Sequence, residues 1–401
     1  MTDRITIEHL YKIFGDQPKQ ALDMLLAGEG KESVLAKTEQ VVGLNDVSLS
    51  VPAGAIYMVM GLSGSGKSTL ARCINRLIEP TSGRILIDGE DIVGASEDRL
   101  RELRRTRISM VFQHFALLPN KSVIENVEFG LKLRGVGAKE RRKKAEEVLT
   151  VVGLASWAHH RPDALSGGMR QRVGLARALA TDADVLIMDE AFSALDPLIR
   201  SEMQDELLRL QRVLKKTILF ITHDFQEALK LGTRIAIMAD GAVVREGSPQ
   251  DIVLHPNNDY VAAFTRDVDR ARLFDAGSVM VETPAIVLNG SNTTEIPAVA
   301  GGPAFVVDGT GRPVGVVPAD ALPQARQGAA LNTIISQNYG TVRRNTKLAE
   351  VASLFGGNKP VAVIDDEGRF LGHVDPVRVL ARIGLPAATA SQSNNPAAQQ
   401  C

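Results

Sequence analysis

The feature that most constrains this chain is a glycine-rich loop between a strand-like and a helix-like segment. An apolar run, residues 55–60, precedes the loop, and a helix-like stretch, residues 69–78, follows it. The loop has the pattern G-x-x-x-x-G-K-S and consists of Gly61, Leu62, Ser63, Gly64, Ser65, Gly66, Lys67 and Ser68. A phosphate-binding loop requires this strand–loop–helix context. The sequence therefore predicts a nucleotide site here, and the disfavoured alternative is a glycine-rich turn without a ligand.

Each residue type in the loop suits it to hold phosphate. Glycines let the backbone curl so that its N–H groups face the phosphates, and the following helix adds its positive end. Lys67 is expected to reach the β- and γ-phosphates, and the hydroxyl of Ser68 is expected to bind Mg²⁺. Thr69, the next residue, is included among the predicted nucleotide contacts. The predicted cofactors are therefore ATP and Mg²⁺.

Composition limits the classes of partner. A chain of 401 residues is long enough for two or three domains. It carries 46 basic and 47 acidic residues, so its charge gives no reason to expect a nucleic-acid partner. No apolar run approaches the roughly 18 residues of a membrane span, and the first residues do not form a signal peptide. The two cysteines form no disulfide framework and fit a reducing compartment, and Cys73 is expected to be structural.

Short apolar segments alternate with helical ones and predict a largely parallel sheet covered on both faces. The segments that predict strands are residues 6–14, 41–51, 55–60, 83–89, 109–113, 183–190, 216–223, 234–238 and 242–247, the last two as a hairpin. Residues 123 to about 180 are instead helical in pattern. Ligands of such sheets lie at the carboxyl ends of the strands. The polar residues at those ends are Gln113, Asp189, Glu190 and His223.

These strand-end residues suggest a hydrolytic site. Asp189 is expected to hold Mg²⁺ opposite Lys67 and Ser68. Glu190 cannot point the same way from a strand, so we expect it to act as general base, or as orienter, for the water that attacks the γ-phosphate. The alternative for two adjacent acids is a helix N-cap. His223 is expected to contact the γ-phosphate, and Gln113 the metal or the attacking water.

A second anion-binding element is predicted at residues 165–169, Leu-Ser-Gly-Gly-Met. Ser166, Gly167 and Gly168 open a helix, so a hydroxyl and exposed N–H groups meet a positive helix terminus. This element has no lysine of its own. The alternative interpretation is an ordinary N-capped helix start.

In this order, the loop, Gln113, residues 165–169, 185–190 and 193–196, and His223 resemble the ATP-binding-cassette (ABC) ATPases over roughly residues 4–265. The resemblance implies a head-to-tail dimer around two ATP molecules. Ser166, Gly167 and Gly168 of one subunit would close on the γ-phosphate held by the other, and Asp196 would link the two sites. Family members stack an aromatic side chain on adenine, and either Tyr11 or Phe14 could serve.

Residues 11–15, the polar, helix-permissive insertion at residues 17–38, Met169 and residues 189–196 are similar to the quaternary-amine branch of this family. That branch energises importers of glycine betaine, proline betaine or choline. The resemblance implies integral membrane permease subunits, contacted through residues 115–119, and indirectly a substrate-binding protein. It also implies a peripheral position on the cytoplasmic face of the inner membrane. Two alternatives remain open: another cargo such as an amino acid, and an ABC ATPase of DNA repair or translation.

The C-terminal part contains an internal repeat. Residues 303–315 match residues 360–372, and each copy predicts a strand, a turn at Asp-x-x-Gly and a second strand. The repeat resembles a tandem pair of cystathionine β-synthase-type (CBS) domains, which gate betaine transporters. Both copies lack the hydroxyl residue of the CBS nucleotide pattern, and this departure weighs against nucleotide binding here.

The predicted fold is therefore α/β: an ABC nucleotide-binding domain with a helical subdomain, followed by a smaller α+β CBS-like pair whose first copy is degenerate. The predicted boundaries are 1–270 for the first domain, 271–285 for a linker, 286–385 for the CBS-like pair and 386–401 for a disordered tail.

Overall fold

The computed structural model describes residues 2–112, 116–193, 195–289, 292–293, 302–327, 331–356 and 359–384. The chain divides after Ile252 into unit 1, residues 1–252, and unit 2, residues 253–401. This division falls earlier than the predicted boundary at residue 270. Within the described ranges, no helix is both long and apolar enough to cross a membrane.

Unit 1 contains ten described strands and ten described α-helices, the last of which begins in unit 1 and ends after the division. The strands are β1 (Asp3–Phe14), β2 (Val41–Pro52), β3 (Ile56–Met60), β4 (Ser82–Ile87), β5 (Glu90–Asp91), β6 (Ile108–Val111), β7 (Val185–Asp189), β8 (Thr217–Thr222), β9 (Arg234–Ala239) and β10 (Ala242–Gly247). The helices are α1 (Pro18–Leu26), α2 (Lys31–Thr38), α3 (Lys67–Ile74), α4 (Glu97–Thr106), α5 (Val123–Leu133), α6 (Ala138–Val151), α7 (Gly167–Ala180), α8 (Pro197–Leu214), α9 (Phe225–Leu231) and α10 (Pro249–Leu254).

The central sheet of unit 1 positions the predicted site. Its strand order is β10-β9-β3-β8-β7-β6, and all its pairs are parallel except the β9–β10 hairpin. All residues of β3, β7 and β8 are buried, as expected for parallel strands covered on both faces. In the register of the sheet, Met60 lies opposite Thr222, and Asp189 opposite Ile221. The loop after β3 and the polar residues after β7 and β8 therefore emerge at one edge.

A second, antiparallel sheet completes the unit 1 core. Its order is β2-β1-β4-β5, and helices α1 and α2 form an insertion between β1 and β2. Buried side chains of both sheets and of α3 form one apolar core, which includes Cys73. Burial raises the pKa of the Cys73 thiol to about 12, which fits the structural role predicted for it. Helices α5, α6 and α7 have a core of their own, in agreement with the predicted helical region.

Unit 2 consists of short strands and helices, and it contains both copies of the predicted repeat. Its described strands are β11 (Met280–Val281), β12 (Ile286–Asn289), β13 (Asn292–Thr293), β14 (Ala304–Val307), β15 (Pro313–Val317), β16 (Gly340–Arg343), β17 (Val361–Ile364) and β18 (Phe370–Val374). Its described helices are α11 (Asp259–Thr265), α12 (Arg270–Leu273), α13 (Leu322–Arg326), α14 (Leu331–Ile334), α15 (Leu348–Leu354) and α16 (Pro376–Gly384).

The two copies of the repeat share one topology. In the first copy β12 pairs parallel with β14, which pairs antiparallel with β15. In the second copy β16 pairs parallel with β17, which pairs antiparallel with β18. The turns of the two copies also meet, because the Phe370 N–H donates to the carbonyl of Gly311 at 2.9 Å. The sequence repeat is therefore also a structural repeat.

The segment expected to be a linker, residues 271–285, is built into unit 2. Phe274 and Ala276 are fully buried there. The Leu348 N–H donates to the carbonyl of Phe274, and strand β11 pairs with β18. Apolar side chains in this segment stabilise the repeat, which a free linker would not do. The predicted tail, residues 386–401, lies outside the described residues.

We expect Phe305→Ala to loosen both copies of the repeat. Phe305 is 1% exposed, and its ring lies 5.1 Å from that of Phe370 and 6.0 Å from that of Tyr339. Loss of such a side chain costs about 3–5 kcal/mol. Hydrogen–deuterium exchange should therefore be faster in β14 and β17. Val377→Ala, at a position that is 70% exposed, is the matched control and should leave exchange unchanged. Equal protection in both variants would contradict this packing.

Candidate active site

The glycine-rich loop connects β3 to α3 and needs glycine for steric reasons. Gly61 has φ +151°, and a Cβ there would lie 2.2 Å from the carbonyl oxygen of Met238. Gly66 has φ +98°, and a Cβ there would lie 2.5 Å from the carbonyl oxygen of Gly43. Both distances are too short for any side chain, so only glycine lets the loop pack against these backbones.

Lys67 is held inside the loop. Its side chain is buried, and Nζ donates to the carbonyl of Leu62 at 2.8 Å and to Oγ of Ser65 at 3.4 Å. Burial lowers the pKa of Lys67, and the nearby carboxylates of Glu190 and Asp189 act in the opposite direction. The ammonium is thus already fixed at the first turn of α3, where phosphate oxygens can replace its loop acceptors.

Ser68 and Asp189 lie together, as the predicted metal site requires. Ser68 Oγ donates to Asp189 Oδ1 at 2.9 Å, across the gap between α3 and the end of β7. Asp189 is 5% exposed, and burial raises its pKa, although the Ser68 hydrogen bond opposes this shift. Hydroxyl and carboxylate oxygens are the hard ligands that Mg²⁺ prefers, and it commonly shares them with substrate phosphates. These residues therefore fit the ion.

Glu190 points away from Asp189 and toward His223. It follows the last residue of β7 with φ +48°, a left-handed conformation that is uncommon for glutamate. Its N–H donates to the carbonyl of Ile221 at 3.0 Å, which fixes this turn. Glu190 Oε2 lies 3.4 Å from His223 Nδ1. The two adjacent acids are thus separated, one beside Ser68 and the other beside the histidine.

Lys67, Ser68, Glu190 and His223 share one open cavity of about 680 Å³, which Asp189 does not line. The volume is in the usual range for small-molecule sites. The cavity is lined by Phe14, Val41, Val42, Gly43, Leu62, Ser63, Gly64, Gly66, Lys67, Ser68, Thr69, Glu190 and His223. The structure therefore brings most of the predicted loop residues together with Glu190 and His223, the predicted catalytic residues that directly follow β7 and β8.

The cavity distinguishes the two aromatic candidates. Phe14 lines it, with 38% of the side chain exposed, whereas Tyr11 is not among the lining residues. The backbone of Tyr11 pairs with Ser82 in β4 instead. Burial and the charge of Asp46 raise the pKa of the Tyr11 phenol. Of the two aromatic candidates, Phe14 is the one that lines the cavity.

Sequence reasoning missed three residues of the cavity, Val41, Val42 and Gly43. They lie beyond the insertion, 27 to 29 positions after Phe14, yet Val41 is paired with Phe14 across β1 and β2. A hairpin pairing of residues 13–14 with 41–42 was the signal that could have found them.

Ser166, Gly167, Gly168 and Asp196 do not line this cavity. Ser166 Oγ accepts from the Met169 N–H at 3.3 Å and caps α7, and Asp196 Oδ1 accepts from the Ile199 N–H at 3.1 Å and caps α8. Within one chain Ser166 and Asp196 are helix N-caps, and Gly167 and Gly168 begin α7. Gln113, the third predicted catalytic residue and a predicted metal ligand, lies outside the described residues.

Comparison with known proteins agrees with this geometry. Residues 44–193 match the ABC transporter family. The glycine betaine transport ATP-binding protein OpuAA of Bacillus subtilis is 48% identical, over 92% of this chain and 90% of that protein. The trimethylamine N-oxide transport system ATP-binding protein TmoW of Ruegeria pomeroyi is 52% identical, over 68% of this chain and 80% of that protein.

A solved structure shows the same fold. The ATP-binding cassette MJ0796, in a dimeric post-hydrolysis state bound to ADP and Pi, matches with a TM-score of 0.52 and 33% identity. The match covers 61% of this chain and 98% of the cassette. From the cavity, its residues and these relatives, we conclude that the chain belongs to the ABC transporter family, as an ATP-binding protein of the glycine betaine branch.

Proposed function

We propose that this chain hydrolyses ATP to energise the import of glycine betaine and related quaternary amines. The single observation that carries the proposal is the cavity in which Lys67, Ser68, Glu190 and His223 meet. The relative named for glycine betaine transport adds the cargo class, because it is similar to this chain along nearly its whole length.

The proposed reaction is attack of water on the γ-phosphate of ATP. Glu190 takes a proton from the water, whose oxygen forms a bond to the γ-phosphorus while the bond to the bridging oxygen of ADP breaks. Lys67 and the loop N–H groups hold the phosphates, and His223 contacts the γ-phosphate and orients Glu190. Ser68 and Asp189 would hold Mg²⁺, which supplies positive charge to the phosphate oxygens.

We infer that two copies of the chain form the working unit. Ser166 and Gly167 are exposed, and a Cβ at Gly167 would meet nothing within 4 Å. Packing within the chain therefore does not explain the glycine, whereas close approach of a second copy's nucleotide would. The related cassette MJ0796 is dimeric. Membrane permease subunits, a substrate-binding protein and a peripheral position on the cytoplasmic face of the membrane complete the proposed system.

Trimethylamine N-oxide is the second candidate cargo, because the TmoW protein has a slightly higher identity. That similarity extends over only 68% of this chain. The match to the glycine betaine protein extends over 92% of the chain, so it includes most of the C-terminal repeat. The repeat therefore favours glycine betaine.

We also propose that the repeat in unit 2 is a CBS-like regulatory pair. The support is the common topology of its two copies, each with one parallel and one antiparallel strand pair. We propose that this pair makes transport depend on osmolarity.

The cargo is tested by uptake in cells that lack this chain and redundant carriers. Restoring the intact chain should restore uptake of labelled glycine betaine above the deletion background, because import needs hydrolysis. Choline, proline betaine and trimethylamine N-oxide are measured in parallel, at low and high medium osmolarity.

A Glu190→Gln chain is the hydrolysis control and should restore no uptake. Uptake of trimethylamine N-oxide alone would replace the proposed cargo with the second candidate. Uptake of none of the four solutes would reject the quaternary-amine class and leave the ATPase assignment intact.

A further inference from the structure

The insertion between β1 and β2 begins and ends at the cavity. Phe14, the last residue of β1, and Val41, the first of β2, are paired in register, and both line the cavity. Helices α1 and α2 connect these two residues. The residues that line the rest of the cavity are the phosphate loop and the pair Glu190 and His223. The insertion therefore adjoins the apolar end, where a nucleotide base would lie.

A small apolar core joins the insertion to the two strands. Ala21 of α1 and Val34 of α2 are fully buried and pack with Ile13, which is 2% exposed. Val42 packs against the same cluster. Ile13 and Val42 are the chain neighbours of Phe14 and Val41. Burial of Ile13 and Val42 by α1 and α2 thus limits the movement of Phe14 and Val41.

Gln40 closes the neck of the insertion, by which we mean the point where the chain leaves β1 after Phe14 and enters β2 at Val41. It is 7% exposed, its Oε1 accepts from the Gln17 N–H at 3.1 Å, and its Nε2 donates to the carbonyl of Thr38 at 3.0 Å. Gly15 has φ +131°, and a Cβ there would lie 2.0 Å from Gln40 Oε1. One buried amide thus ties the entry of the insertion to its exit, directly beside Phe14.

The ring of Phe14 is also held from the strand side. A Cβ on Gly43 would lie 2.7 Å from Cε2 of Phe14, so the ring packs directly on the backbone of Gly43, where a side chain would displace it. The Lys12 ammonium lies 5.0 Å from the ring centroid, within the range of a cation–π contact.

The insertion also reaches the phosphate loop through a turn. Lys31, the first residue of α2, forms a salt bridge with Asp240 in the β9–β10 turn. The next residue, Gly241, donates its N–H to the carbonyl of Ser65 at 3.2 Å. The salt bridge is partly exposed, so its own contribution to stability is small.

We propose that the α1–α2 insertion holds the Phe14 ring in place for stacking on the base of the bound nucleotide, with Gln40 as the positioning residue. This inference rests on the proposed nucleotide site. An aromatic ring fixed before binding loses less entropy on stacking. The hydrogen bond between Gln40 and the Gln17 N–H therefore increases affinity for ATP by restraining the Phe14 ring. Gln40 touches no part of the nucleotide and acts only through Phe14.

The test compares ATP with inorganic tripolyphosphate, which has the phosphates and lacks the base. In Gln40→Met, a substitution of similar size without the hydrogen bonds, Kd and KM for ATP should rise by about three- to tenfold with kcat within about twofold, since base stacking alone accounts for about 5- to 150-fold. Affinity for tripolyphosphate should stay unchanged. Leu26→Ala, on an exposed face of α1, is the matched control and should alter neither ligand.

A second substitution tests whether Gln40 acts through the ring. In a Phe14→Ala background, Gln40→Met should weaken ATP binding no further. Additive losses, equal weakening of ATP and tripolyphosphate, or unchanged ATP affinity in Gln40→Met would each overturn the proposal. Should Gln40→Met fail to fold, Gln40→Ala, which also removes the hydrogen bond accepted from the Gln17 N–H, is used in the same comparison.

Failure of the site itself has a different signature. Lys67→Ala should lose affinity for both ATP and tripolyphosphate. Retention of both by Lys67→Ala would reject the proposed nucleotide site rather than the role of the insertion.

Discussion

Replacing Glu190 by glutamine is expected to lower the rate of ATP hydrolysis by about 10²–10⁴-fold, the usual contribution of a general base. Glutamine has the same size and keeps the turn in which the residue 190 N–H donates to Ile221, but its amide cannot take a proton from water. Lys67, Ser68 and Asp189 are untouched, so ATP should still bind. The loss should therefore appear in kcat and not in Kd.

Phosphate release and equilibrium binding of ATP give the two readouts. Glu97→Gln, the same change at an exposed residue of α4, is the matched control and should hydrolyse ATP at the normal rate. A Glu190→Gln chain that hydrolyses ATP within about tenfold of the original rate would contradict the assignment of Glu190 as the base.

Gly167→Leu is expected to abolish hydrolysis without unfolding the chain. Gly167 is exposed and a Cβ there would meet nothing within 4 Å in the single chain, so the melting temperature should stay unchanged. In the proposed dimer the same side chain would keep Ser166 and the start of α7 away from the partner's γ-phosphate. Loss of even one such donor lowers turnover by about 10²–10³-fold.

Gly168→Ala provides the contrast. Its Cβ would lie 2.5 Å from Cγ2 of Ile199, so overpacking should lower the melting temperature, at a cost of about 1–3 kcal/mol. Light scattering of Glu190→Gln with ATP, with and without Gly167→Leu, measures the dimer directly. Normal hydrolysis by Gly167→Leu would contradict a dimer that closes on this face.

The central sheet and its site could be predicted because local signals agree with the global fold. Apolar runs ending in Asp189 or His223 predict parallel strands, and parallel strands bring their carboxyl ends to one edge. The separation of Asp189 and Glu190 was expected from strand alternation, but in the structure it arises from the left-handed turn at Glu190, which follows β7 with φ +48°.

The choice of aromatic residue and the place of residues 271–285 could not be predicted, because both depend on contacts between residues that are distant in sequence. The choice of Phe14 over Tyr11 follows from the pairing of β1 with both β2 and β4, and the 26-residue insertion separates the residues that reveal it. The packing of residues 271–285 within unit 2 depends on a similar contact between residues distant in sequence, the hydrogen bond from the Leu348 N–H to the carbonyl of Phe274. Phe274 and Ala276 have the composition of a short loop, and only their burial against the second copy of the repeat places them in unit 2.

The neck at Phe14 and Val41 has a consequence for how this part of the chain can vary. Because the insertion leaves and rejoins the sheet at directly paired residues, its length has no effect on the register of β1 with β2. Residues can be added or removed at the tip, between Leu26 and Lys31, while the sheet keeps every hydrogen bond. The tip is therefore a natural place for divergence among relatives, and equally for attaching a fluorescent reporter to the intact protein.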